Sequence, residues 1–259
     1  MMLTVTGMLM VPTALFLLIV GLRYYQRQYH PHPEIVRKLL HIGMGLVCLP
    51  FPWLFDGLWP VLILGSMALG ALLLLRHSHL RETFGCTIHQ VKRHSYGDLY
   101  FPLGVALAYL LAQDNALLYS VPLLLLTFAD PTAALVGTFW GRRRYRTIEG
   151  TKTLEGSAAF FGVAFVLTLT ALLLAGTFAP VSAVLVAGLL ALIATAIEGI
   201  SWRGIDNLLV PAVSGELLLG LLHVGPVVQA GLLLLILSVA LIGAAIWFIR
   251  RVHLSVISY

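Results

Sequence analysis

Asp130 and Pro131 sit inside an otherwise apolar stretch, and that pairing is the first sign of chemistry in the chain. A carboxylate in lipid-like sequence costs ~2.5–3.5 kcal/mol or more near a bilayer centre, so it is read as functional by default. A proline beside it removes one backbone donor, which is tolerated where freed carbonyls line a polar cavity or find protein partners. Downstream come Gly141, Arg142, Arg143, Arg144 and Arg146, then Gly150, Lys152, Thr153, Glu155, Gly156 and Ser157. Basic side chains neutralise phosphate and glycines admit it to the backbone. A helix starting near Ser157 would add amides and a positive dipole end. The Gly-Lys-Ser/Thr order and preceding strand of a Walker A loop are missing. Cations at the end of a span are also ordinary orientation signals, and that plainer reading stands beside the anion-binding one.

Arg37, Lys38 and His41 open an earlier apolar stretch, with Arg37 and His41 one turn apart on one helix face. An anchoring role explains the two cations but not a histidine one turn deeper. Glu198 and the pair Asp206-Asn207 lie at the ends of later apolar stretches. Oxygen ligands of this kind suit Mg²⁺, which binds through one or two carboxylates plus substrate phosphates. The alternative is that each acid pairs with a nearby cation across a helix contact. Tyr96-Gly97-Asp98 ahead of Phe101-Pro102 reads equally as a helix cap or as a substrate-side acid, and Glu216 reads as a partner of His223 or a cavity residue. His77, His79, Cys86 and His89 match no strong zinc spacing and read as interfacial residues.

The elements that must position these residues are membrane helices. Of 259 residues, 59% are hydrophobic and 10% charged, and the mean hydropathy is +0.96. Soluble domains carry about a quarter charged residues. The expected class is all-α, a polytopic membrane protein with one transmembrane domain over residues 1–259. Hydropathy gives about nine spans of the roughly 20 residues that a bilayer needs. They fall near 4–22, 38–55, 58–75, 99–113, 116–138, 157–178, 180–200, 207–222 and 226–249. With the N-terminus outside, every Lys and Arg lies on one side, in or beside loops 23–37, 76–98, 139–156 and 201–206 and the C-terminus. The positive-inside rule makes that side cytoplasmic. Loop 76–98 is expected to lie along the inner surface as a short amphipathic segment. The five tryptophans fall near span ends, as interfacial aromatics do. The net charge of +5 sits in short loops and points to no nucleic acid. Cys48 and Cys86 are not expected to pair, and the first apolar run reads as a retained span because no basic residue or cleavage site flanks it.

At these residues the chain resembles the phytol kinase and dolichol kinase family of membrane enzymes that use cytidine triphosphate. The family's Arg-Lys-x-x-His appears as Arg37-Lys38 with His41, and its Tyr-Gly-x-x-x-Phe-Pro as Tyr96-Gly97 with Phe101-Pro102. Its acid-x-x-Ala element appears as Asp130 with Ala133, and its Lys-Thr-x-Glu-Gly-Ser as Lys152-Thr153 with Glu155-Gly156-Ser157. Glu198 and Asp206-Asn207 with Pro211 complete the order. Three positions depart from the pattern: Ala129 replaces a glycine, Thr151 replaces the first of two lysines, and Pro131 follows the acid.

The resemblance implies phosphoryl transfer from CTP, or a related nucleoside triphosphate, to a membrane-dissolved isoprenoid alcohol such as phytol, geranylgeraniol, farnesol or a polyprenol. It further implies that Arg37, Lys38, Arg142, Arg143, Arg144, Lys152, Thr153, Glu155, Gly156 and Ser157 hold the nucleotide, and that Asp130, Asp206 and Asn207 hold Mg²⁺. Asp130, His41 and Glu198 are the catalytic candidates, at the cytoplasmic face of a prokaryotic plasma membrane. Two neighbouring enzyme classes stay open, phosphatidate cytidylyltransferase and diacylglycerol kinase; the first loses ground because its terminal Lys-Asp-x-Gly and His-Gly-Gly-like elements are missing. An ion-coupled transporter with a broken helix at Asp130-Pro131 is the rival from another class.

Overall fold

The computed structural model describes residues 2–77, 96–148 and 150–257, with side chains described for all of these except 75–77 and 242–257. Every predicted apolar stretch is helical. In chain order the helices are α1 (Met2–Tyr29), α2 (Pro33–Cys48), α3 (Phe51–Leu54), α4 (Trp59–His77) and α5 (Gly97–Leu111). They continue as α6 (Ala116–Leu124), a π-turn (Leu125–Ala129), α7 (Asp130–Phe139), α8 (Leu154–Ala175), α9 (Pro180–Ile200), α10 (Asp206–Leu221) and α11 (Pro226–Ile257). Among the described residues, 5 helical stretches are long and apolar enough to cross a membrane: Met2–Tyr29, Pro33–Leu54, Ala116–Phe139, Leu154–Ala175 and Pro180–Ile200. Trp59–Leu74, Gly97–Leu111 and Pro226–Leu241 are apolar but shorter. The chain is therefore an all-α membrane protein. His79, Cys86, His89 and most of the expected surface segment lie outside the described residues.

Two features differ from the sequence expectation. The stretch 139–156 contains an antiparallel hairpin, β1 (Arg144–Thr147) with β2 (Gly150–Thr153), in which Tyr145 faces Lys152 and Arg144 faces Thr153. Two four-residue polar strands carry no apolar alternation, so hydropathy registers only a loop. The next helix starts at Leu154 instead of near Ser157, because the Thr153 side chain caps it by accepting the Gly156 N–H at 3.1 Å.

The continuous helix Ala116–Phe139 runs through the interior, packed against α8, α10 and α2. Leu123, Leu125, Leu126 and Tyr119 on it are fully buried, among Leu189, Leu190, Leu218 and Phe160. The Tyr119 hydroxyl donates to the Cys48 carbonyl (2.9 Å) and the Tyr109 hydroxyl to that of Phe55 (2.8 Å). Helices in lipid associate by close packing at small residues. Gly104 of α5 is such a contact, since the Asn207 backbone carbonyl at the head of α10 occupies the space a Cβ would need. Gly104→Ala is expected to lower stability by ~1–3 kcal/mol through overpacking against backbone. Gly162→Ala, where a Cβ meets nothing within 4 Å, should leave stability unchanged or raise it. Thermal unfolding of the detergent-purified variants checks both, and equal behaviour would contradict the packing.

Candidate active site

The polar residues of distant segments meet at one end of the bundle, around a cavity of about 1060 Å³. Ligand sites commonly occupy ~300–1,000 Å³, so this one is at the upper end of that range. Its wall comes from the start of α2, the heads of α5, α8 and α10, one face of α7, and the hairpin.

Lys38 lies at the centre. Its Nζ donates to Asp130 Oδ2 at 2.7 Å, joining residues 92 positions apart, and both side chains are almost fully buried. His41, one turn further along α2, puts Nε2 at 2.9 Å from the Leu126 carbonyl and 3.7 Å from Asp130 Oδ2. Phe101 meets the imidazole edge-on, with centroids 5.1 Å apart. A second pair joins Lys152 of β2 to Glu198 of α9: Nζ donates to Oε1 at 2.6 Å and to the Glu198 backbone carbonyl. Arg37 forks onto Glu34 at 2.5 and 3.0 Å. Asp206 feels the charges of Asp130, Lys152, Lys38 and Glu198, so it belongs to the same cluster.

Of the residues singled out in the sequence, Arg37, Lys38, His41, Asp130, Arg144, Lys152, Thr153, Gly156, Ser157, Asp206 and Asn207 all line the cavity. Arg142, Arg143 and Glu155 do not. Both Glu155 oxygens accept the Arg143 backbone N–H, at 3.1 and 3.2 Å, so this carboxylate holds the loop ahead of the hairpin. Glu198 stands behind Lys152 as its partner, away from the wall. Gly156 has a packing reason to be glycine, because a Cβ there would lie 2.8 Å from the Ala133 carbonyl of α7. The first amides of α8 are also committed: Leu154 N–H goes to the Arg143 carbonyl (2.9 Å) and Gly156 N–H to Thr153. What α8 offers the cavity is its dipole and Ser157, whose hydroxyl meets that of Tyr145 at 2.8 Å.

Glu34, His32, Thr147, Thr151, Trp202 and Arg203 join the wall without having been singled out for chemistry. Glu34 was findable, since it precedes Arg37 by three residues on one helix face. Arg203 had the sequence signature of an orientation signal and nothing more.

Among the described residues, Glu198 Oε2 and Asn207 Oδ1 of this cluster are buried with no hydrogen-bond partner. Buried unsatisfied acceptors are rare and call for a donor or cation. Among the described residues no group of three or more His, Cys, Asp or Glu forms a closed metal cage. An open arrangement of a few oxygens is what a metal carried in by phosphate requires.

Fold and site together define a membrane-embedded helical protein with a cavity lined by charged residues at one end of an apolar bundle. Over 181 residues the chain is 34% identical to a phytol kinase of Synechocystis sp., a match that covers 69% of this chain and 75% of that one. The chain therefore belongs to the phytol kinase family. No family model matches it, and no solved structure matches it significantly.

Breaking a buried pair from one side leaves an uncompensated charge, at a cost of ~3–5 kcal/mol, whereas removing both partners costs far less. Lys38→Met should therefore destabilise the purified protein strongly, and much less in an Asp130→Asn background. Thermal unfolding of the four proteins in one detergent measures the coupling, and additive effects would contradict a direct pair.

Proposed function

We propose that this protein transfers the terminal phosphoryl group of CTP to a long-chain isoprenoid alcohol, of which phytol is the first candidate. The supporting observation is the meeting of two acids, Asp130 and Asp206, with Lys38, Arg37, Arg144 and Lys152 around one nucleotide-sized cavity in a phytol kinase relative. Phosphoryl transfer asks a protein mainly for positioning and charge neutralisation, and these residues supply both.

Lys152, Lys38, Arg37 and Arg144 hold the phosphates in this reading. Asp130 and Asp206, with the free Asn207 Oδ1, hold Mg²⁺, which when bound offsets the charge of the phosphate oxygens. The alcohol oxygen forms its bond to the terminal phosphorus as the bond to the leaving CDP breaks, and the hydroxyl proton passes to water in the open cavity. His41 and Glu198, the proton acceptors offered by the sequence, are both engaged elsewhere, His41 with a carbonyl and Glu198 with Lys152. Arg142 and Arg143 do not line the cavity and are given no role with the nucleotide in this reading. The alcohol reaches the cavity from the bilayer between helices. The topology that goes with this has nine spans, an outside N-terminus and the cavity at the cytoplasmic face of a prokaryotic plasma membrane, because the wall is built from the arginine- and lysine-bearing loops.

Reconstituted protein given Mg²⁺, phytol and CTP labelled in its terminal phosphate tests the reading. Label in a lipid monophosphate with release of CDP is expected, and Asp130→Asn should lower the rate at least ~100-fold, the scale of losing one charge-stabilising group. Release of pyrophosphate would instead mark a cytidylyltransferase. Solute flux without nucleotide would mark a transporter, and full activity in Asp130→Asn would remove that carboxylate from the mechanism.

A further inference from the structure

Pro131 leaves a hole in the backbone ladder at the most sensitive point of the cavity. Through the π-turn the helix bonds in the wider register, with the Asp130 N–H reaching the Leu125 carbonyl. The next bond in that register would join residue 131 to the Leu126 carbonyl, but proline has no N–H. Leu126 is wholly buried, so its carbonyl has no water to turn to. The His41 ring nitrogen Nε2 stands 2.9 Å from it. A carbonyl can only accept, so Nε2 carries the proton and donates.

We propose that His41 is a positioning residue which replaces the hydrogen bond deleted by Pro131 and so fixes the direction in which Asp130 faces the cavity. One face of α2 meets the whole break. Lys38 takes the Asp130 carboxylate, His41 takes the Leu126 carbonyl, and Gly45, one turn on, lies against the Thr127 side chain with no room for a Cβ. Residues 38, 41 and 45 share that face by helical spacing. Phe101 packs edge-on against the imidazole. The π-turn and the proline together would otherwise leave the segment before Asp130 free to change register. In this assignment the histidine passes no proton to or from substrate.

The kinetic arm of the test rests on the phosphotransferase reading; the stability arm does not. His41→Gln keeps an amide donor near the place of Nε2, and His41→Ala removes it. Pro131→Ala supplies a backbone N–H that can bond Leu126 within the helix, so it should suppress the defect of His41→Ala. His41→Ala is expected to lower the thermal midpoint of the purified protein. It should also raise the Mg²⁺ concentration needed for half-maximal rate by roughly tenfold, the scale of one buried hydrogen bond. Both His41→Gln and the double variant His41→Ala/Pro131→Ala should return most of each loss. A merely structural role would reduce the folded fraction without moving the Mg²⁺ midpoint, and that result overturns the positioning role. Gln as inactive as Ala, with no suppression by Pro131→Ala, also overturns it and returns His41 to proton transfer. If the wild-type protein phosphorylates no alcohol, the reading of function fails separately. The thermal midpoints of the same variants then decide the hydrogen bond: restoration by Gln and by Pro131→Ala upholds it, and no restoration refutes it.

Discussion

The buried contact between Lys38 and Asp130 is the constraint from which the rest of the site follows. In a low-dielectric interior neither charge is tolerable alone, and removing either partner is costly where removing both is not. The 2.7 Å bond therefore ties the start of α2 to the middle of a helix 92 residues later. Once α2 is held there, Arg37 and Glu34 fall on the rim of the cavity, and His41 falls on the carbonyl before the proline. Lys152 and Glu198 form a second such pair, joining the hairpin to the end of α9. The cavity wall thus carries two lysines whose charge is balanced by protein carboxylates.

The irregular backbone around Asp130 has the same logic. A π-turn and a proline are weak points in a membrane helix, acceptable only where freed groups are satisfied by neighbouring protein. Here α2 supplies the neighbours. Irregularity places a carboxylate at a cavity wall, and the opposing helix removes the freedom that irregularity would otherwise bring. The small residues serve this close approach. Gly45 lets α2 reach Thr127, Gly104 lets α5 reach the head of α10, and Gly156 lets α8 reach α7. Each of these contacts lies within a few residues of a polar group on the wall.

Most of the helical layout is legible in the sequence because hydropathy over ~20 residues measures the property a bilayer selects. Asp130, Lys38 and His41 are legible too, since polar groups in apolar stretches are costly and must have a reason. The π-turn is not, because Leu125 to Ala129 has the composition of ordinary helix and its register depends on packing. The hairpin escapes for the opposite reason: Arg-Tyr-Arg-Thr and Gly-Thr-Lys-Thr lack an apolar face, and their pairing is fixed by where α7 ends and α8 begins. Motif reading does not separate the roles of Glu155 and Gly156. Both follow Lys152 in a phosphate-like run, yet Glu155 holds loop backbone off the wall, while Gly156 lies on the wall and also makes room for Ala133. Adjacency in sequence does not distinguish a residue that touches ligand from one that shapes the turn presenting it.

The contact between Lys38 and Asp130 can be examined without any assumption about activity, because the chain has only three lysines: Lys38, Lys92 and Lys152. Acylation of the folded protein by a water-soluble amine reagent, followed residue by residue by mass spectrometry, reports on each. Lys38 should stay unmodified until the protein unfolds, and Asp130→Asn should make it reactive in the folded state. Labelling of Lys38 in the native protein as fast as in the unfolded chain would contradict the account.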